Sequence, residues 1–154
     1  MKTEITHYKI RSASENDIKV HLLKCDPNFL PILSLRVDIN TYSKKIFNHA
    51  ITFEAWQENK LIGLVACYCN EADQTGFITN VSVYKEFTGK GIAGQLIKMC
   101  FDHAFGLGYK AIRLEVNKEN KYAVDLYKRY EFKQIGSSKN DLITMERFIN
   151  NKLH

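Results

Sequence analysis

Two prolines, four cysteines and the absence of any long apolar run are the first constraints on this 154-residue chain. Pro27 and Pro31 both flank Asn28-Phe29-Leu30, so they mark an ordered loop and not a linker between domains. Cys25, Cys67, Cys69 and Cys100 make no disulfide framework. Cys67 and Cys69 stand two apart on one face of an expected strand, too close for a normal bridge. No second Cys or Cys/His pair has zinc-ligand spacing, so no metal is expected. Reduced thiols of this kind belong to a reducing compartment. The longest apolar stretch, Leu61 to Cys69, contains Gly63 and falls far short of the ~20 residues of a membrane span. The start, Met1-Lys-Thr-Glu-Ile-Thr-His-Tyr, has no apolar signal core. A cytoplasmic protein with no membrane partner is expected.

Like charges never run together in blocks of five or six, and no Lys/Arg cluster is interleaved with stacking aromatics. Nucleic acid is therefore not an expected partner. The net charge of +5 and a pI near 9.0 favour acidic ligands in a general way. Repeats and low-complexity tracts are also missing. The length fits a single domain over residues 1–154, large enough to bury roughly 68–70% of its unfolded surface.

What is present is a clear alternation of patterns. Tyr8 to Arg11 reads as a strand, and Ser12 or Ser14 can cap a helix running to about Lys24. A second helix is expected over Ile39 to Asn48. Ile51 to Gln57 and Leu61 to Cys69 are strands joined by a turn at Glu58-Asn59-Lys60, and Gly76 to Val83 is a further strand. Ile92, Leu96, Cys100 and Ala104 then share one face of a helix from about Gly91 to Gly106. Ala111 to Asn117 is a strand, Lys121 to Tyr130 a helix, and Phe132 to Ile135 and Leu142 to Phe148 are closing strands. The order β-α-α-β-β-β-α-β-α-β-β predicts an α/β domain. Its central sheet is mixed, mostly antiparallel and flanked by helices, with a parallel crossover at the glycine turn.

That turn, Thr88-Gly89-Lys90-Gly91-Ile92-Ala93-Gly94, lies between a strand and a long helix. Glycines there let the backbone turn sharply and approach a ligand. The free N–H groups of the first helical turn and the helix dipole then favour a phosphate. Gly89-x-Gly91-x-x-Gly94, with Glu115 about twenty residues on, matches the dinucleotide fingerprint. Its context does not, because Tyr84 to Thr88 intervene after the strand and no further parallel βαβ unit follows. A Walker loop is excluded, since Gly91 follows Lys90 and Tyr84 stands where its first glycine belongs.

The stretch from Val81 to Ile97 resembles the coenzyme A motif of the GNAT N-acetyltransferase superfamily, Gln/Arg-x-x-Gly-x-Gly/Ala. Gly91 and Ala93 fill its small positions, and Thr88 replaces the usual Gln or Arg. Asn120-x-x-Ala123-x-x-x-Tyr127-x-x-x-Glu131-Phe132 resembles the second signature, with Glu131 in place of its glycine. The resemblance implies a GNAT-like fold and an acetyl-CoA-dependent N-acyltransferase. Acyl transfer to the amine of a small molecule, or of a protein, would go by direct attack through a tetrahedral intermediate. Backbone amides from Gly89 to Gly94 would hold pyrophosphate, with Lys90 either touching phosphate or solvated. The backbones of Val81 and Val83 would pair with the pantetheine arm, and the Val81 N–H would polarise the thioester carbonyl. Tyr127 would protonate or stabilise the leaving thiolate. Asn120, and less directly Asn117, would meet the pantetheine or phosphate end, or else cap a helix.

The general base is not legible. Thr79 and Asn80 position water at most, and Glu54, Glu71, Asp73 and Glu115 read first as surface or salt-bridged carboxylates. His103 reads as packed and His49 as a helix-end histidine. Phe29, Arg36, Asp38 and Tyr42 are candidates to wall the acceptor cleft. A coenzyme A-binding sensor without catalysis, a dinucleotide-binding oxidoreductase and a homodimer stay open at this point.

Overall fold

In a computed structural model, residues 5–137 and 140–149 are described; the opening residues 1–4 lie outside that range. The elements follow the expected order: β1 (His7–Ile10), α1 (Glu15–Cys25), α2 (Ile39–His49), β2 (Ala50–Gln57), β3 (Lys60–Asn70), β4 (Thr75–Val83), α3 (Ile92–Gly106), β5 (Ala111–Asn117), α4 (Lys121–Arg129), β6 (Lys133–Ser137) and β7 (Leu142–Phe148). The strands form one seven-stranded sheet in the order β1-β2-β3-β4-β5-β7-β6. Each neighbouring pair is antiparallel except β4 and β5. A dinucleotide fold needs several parallel βαβ units, and this topology supplies a single parallel pair.

Local chemistry sets the helix starts. Ser14 caps α1 in a reciprocal box: its hydroxyl accepts from the Asp17 N–H at 3.0 Å, and the Asp17 carboxylate accepts from the Ser14 N–H at 2.9 Å. Asp38 caps α2, accepting from the Thr41 N–H and, at 2.6 Å, from the Thr41 hydroxyl. At the end of α4, Glu131 takes the left-handed conformation (φ 67°) that the family signature gives to glycine. The Phe132 N–H then closes on the Tyr127 carbonyl at 3.0 Å, so the helix stops as a glycine would stop it.

Each face of the sheet has its own core. α3 and α4 cover one built around Phe53, Leu96, Ile97, Ile112, Leu114 and Phe132. α1 and α2 cover the other, around Ile18, Leu22, Leu33, Ile46 and Leu64. Glu54, read from the sequence as a surface or paired carboxylate, is instead fully buried. It accepts from the Ser12 and Ala13 N–H groups, the Thr52 hydroxyl and the Trp56 indole. Those donors satisfy its oxygens and tie the β1–α1 connection to β2.

Two irregularities in β4 create the functional geometry. Ala66 pairs with Asn80 while Cys67 pairs with Ile78, so Thr79 is an extra, bulged residue. The parallel pairing with β5 also stops at Ile78–Leu114, although β4 runs on to Val83 and β5 to Asn117. Beyond that point the two strands part, and one edge of β4 has no strand partner.

Candidate active site

The parted strands open onto a cleft of about 620 Å³, closed by the start of α3, by α4 and by the loop after α1. Tyr127, Val81, Val83, Asn120 and the turn residues from Thr88 to Gly94 line this cleft, except Lys90, whose ammonium lies 5.8 Å from the centre of the Phe87 ring. The glycine turn is built as expected. Gly89 and Gly91 have φ of 78° and 81°, a region that side chains with a Cβ avoid, and Gly91 is the residue from which α3 starts. The first internal bond of α3 is the Gln95 N–H to the Gly91 carbonyl at 3.0 Å, which leaves the N–H groups of the first turn for a ligand. Gly94 serves a different need. A Cβ there would collide with the Tyr130 hydroxyl, so this glycine admits the side chain of Tyr130, the residue that ends α4, against α3.

Thr88 donates its hydroxyl to the Lys85 carbonyl at 2.8 Å, fixing the approach to the turn. Ile92 is buried in the α3-side core and also lines the cleft. Val81 and Val83 pack into the α3-side core in the same way. Asn120 is the cap of α4: its side-chain Oδ1 accepts from the Ala123 N–H at 3.2 Å. Asn117 accepts from the Glu119 N–H at 2.9 Å. Tyr127 is buried against the edge of the Phe132 ring and lines the cleft. Burial pushes its phenol above the ordinary tyrosine range, so it stays protonated at neutral pH. A phenol that keeps its proton can donate a hydrogen bond but cannot act as a base.

The acceptor-wall candidates separate. Phe29 lines the cleft. The Tyr42 hydroxyl reaches the bulge, donating to the Thr79 carbonyl at 2.7 Å with the Thr79 hydroxyl 2.8 Å away. Asp38 is spent on capping α2. Arg36 ends the short helical turn before α2 and lies outside the cleft. Of the imidazoles, His103 packs edge-on against Phe53 at 5.6 Å, and His49 ends α2.

Sequence reading missed Lys85 and Arg129, two cations on the cleft wall, and the polar group behind β4 made by His21, Ser82 and Cys25. A lysine and an arginine in a chain with 22 such residues give no pattern to find them by. His21 and Ser82 are 61 residues apart. Among the described residues no group of three or more His, Cys, Asp or Glu is placed to hold a metal, and no helix is long and apolar enough to cross a membrane.

A family model described as the acetyltransferase (GNAT) family matches residues 17–132. Over 80 residues the chain is 35% identical to an uncharacterised N-acetyltransferase of Methanocaldococcus jannaschii, covering 49% of this chain and 35% of that protein. Over 84 residues it is 31% identical to an N-alpha-acetyltransferase of Arabidopsis thaliana, covering 53% and 44%. The match thus spans less than half the length of each of these relatives. In fold the chain is similar to the PaiA N-acetyltransferase of Thermoplasma acidophilum, solved in complex with coenzyme A. That likeness has a TM-score of 0.74 at 16% identity, over 92% of this chain and 99% of the other.

Proposed function

The chain belongs to the acetyltransferase (GNAT) family, and on that premise we propose that it transfers an acetyl group from acetyl-CoA to a primary amine. One observation carries the reading: β4 parts from β5 beside an α3 start whose amides have no internal partner. The residues present suit the cofactor. Gly89 and Gly91, both left-handed, line the cleft at the start of α3, and Lys85 and Arg129 add positive charge to the same cleft. Hydrogen bonds to a charged phosphate are worth roughly 1.5–3 kcal/mol each. When bound, acetyl-CoA supplies an activated acetyl thioester.

The chain's own groups then have distinct tasks. The unpaired edge of β4 at Val81 and Val83 takes an extended arm as an added strand, and the Val81 N–H donates to the reacting carbonyl oxygen. The buried Tyr127 hydroxyl donates to the leaving sulfur. An amine of pKa near 10.4 is mostly protonated at pH 7, so a base aids the attack. Of the four carboxylates considered from the sequence, Glu54 is locked in its donor set, and Glu71 and Asp73 lie in the turn between β3 and β4. Glu115 follows Leu114, the last β5 residue paired to β4. Leu114 points into the α3-side core, so strand alternation turns Glu115 to the face where Tyr42 meets Thr79. None of the four lines the cleft, and no base is assigned.

A small-molecule amine is the acceptor we favour. The α-amine of a protein is the second reading, supported by the similarity to an N-alpha-acetyltransferase. Cytoplasmic location belongs to the same proposal. The test is thiol release from acetyl-CoA with polyamines, amino acids, amino sugars and short peptides with free N-termini as acceptors. Acetyl-CoA binding with no release across that panel would leave the coenzyme A sensor as the better account.

A further inference from the structure

Arg147 is a cation at a core-facing position of β7. Ile143 and Met145 point into the α3-side core, and strand alternation brings Arg147 to the same side, where its side chain is only 10% exposed. A charge so placed needs partners. Its Nη1 donates to the Tyr130 carbonyl at 3.0 Å and lies 3.0 Å from Glu131 Oε2. The guanidinium carbon sits 4.8 Å from the centre of the Phe101 ring.

All three partners bear on the end of α4. Tyr130 is its C-terminal cap, where a helix leaves carbonyls without internal donors and its dipole favours a cation. Glu131 is the left-handed residue that turns the chain away. Phe101, on α3, packs against the Phe132 ring at 5.4 Å. One guanidinium on β7 therefore fastens Tyr130 and Glu131 directly, and Phe132 through Phe101. Glycine, the residue of the family signature at 131, has no carboxylate to offer Arg147, so this ion pair belongs to the chain's own departure from that signature.

The same residues locate Tyr127. The Tyr130 and Phe132 N–H groups donate to the Tyr127 carbonyl at 3.1 and 3.0 Å, and the Phe132 ring meets the Tyr127 ring edge-on at 5.7 Å. The Tyr130 hydroxyl lies against Gly94 in the first turn of α3. Among the described residues no hydrogen bond holds the Tyr127 hydroxyl. The way the end of α4 is held thus decides where that phenol lies in the cleft. We propose that Arg147 is a positioning residue for acetyl transfer, which sets the Tyr127 hydroxyl at the leaving sulfur by fixing the end of α4 to β7 and α3. This inference rests on the acetyl-transfer reading. A reacting group misplaced by about 1 Å can cost up to roughly a hundredfold in rate.

A double-mutant cycle on the full chain tests it. In thiol-release kinetics, with the amine of the panel that turns over best, Arg147→Met should lower kcat about tenfold and leave KM for acetyl-CoA within about twofold. Added to Tyr127→Phe, the same substitution should cost nothing further, because no hydroxyl is left to position. Arg147→Lys keeps the charge and a donor but loses the planar group over Phe101. It should show a smaller loss with the same non-additivity, and it replaces the methionine variant in the cycle if that variant does not fold. An unchanged kcat in the single variant, or losses that multiply in the double variant, overturns the inference. A readout apart from activity comes from protein with 13C in its tyrosine rings. The Tyr127 signals, identified by their loss in Tyr127→Phe, should move in the Arg147 variant. Unmoved signals overturn the inference whatever the kinetics. No thiol release by the wild type with any amine, with Tyr127 signals that do move, would count instead against the acetyl-transfer reading.

Discussion

Acid should destabilise this protein through one identifiable residue, His21. Burial lowers its ring pKa from 6.5 to about 4, ahead of the opposing hydrogen bonds to Leu61 and Ser82. The native state therefore binds this proton less readily than the unfolded chain does. Stability is complete above pH 6.5 and is lost as the pH falls toward about 4. At about 1.4 kcal/mol per pH unit the full loss is about 3 kcal/mol, of which about 2 kcal/mol has gone by pH 5. Carboxylates titrate nearby, so the assay must isolate the ring. Urea unfolding of wild type and His21→Gln at pH 7.5 and pH 5 does so, because the variant retains every other group. The variant is less stable at pH 7.5, and the gap should narrow by about 2 kcal/mol at pH 5. An equal gap at both values would show that the ring is not held neutral by burial. A wider gap at pH 5 would show a raised pKa.

Tyr127→Phe should lower turnover at least tenfold with near-normal acetyl-CoA affinity, and the wild-type rate should show no loss from phenol ionisation up to pH 9, because burial raises that pKa; wild-type turnover in the variant makes Tyr127 structural. Gly91→Val forces a branched side chain into φ 81° at the cleft, and should abolish acetyl-CoA binding in calorimetry while costing about 1–3 kcal/mol in unfolding. Unchanged affinity would remove the phosphate site from this loop. Glu54→Ala strands two backbone N–H groups, the Thr52 hydroxyl and the Trp56 indole, and should cost about 3 kcal/mol or more in denaturant unfolding with little effect on acetyl-CoA affinity if the variant folds.

The element order was legible because its signals are local. Alternation at Ala111 to Asn117, the Ser14 cap and the Ile92-Leu96-Cys100-Ala104 face each need only a few neighbouring residues. The glycine turn was legible for the same reason: the left-handed φ at Gly89 and Gly91 is written in residue type. What stayed hidden depends on partners distant in sequence. Thr79 becomes a bulge only through its register with β3, and the parting of β4 from β5 leaves no mark in either strand's pattern. Glu54 looks like any strand carboxylate until Ser12, Ala13 and Trp56 converge on it. His21 was unremarkable on a half-polar helix, and only the approach of Ser82 from β4 gives it a role. At Glu131, where the signature has glycine, only the fold shows that glutamate adopts the left-handed φ of 67°, with Arg147 paired to its carboxylate at 3.0 Å.

The central claim is that the opening between β4 and β5, with the start of α3, is a coenzyme A site. Calorimetric titration with acetyl-CoA, with NAD and NADP in parallel, tests it most directly. The account predicts saturable binding of acetyl-CoA alone, lost in Gly91→Val. Binding of NAD or NADP, or no heat with acetyl-CoA, would contradict it.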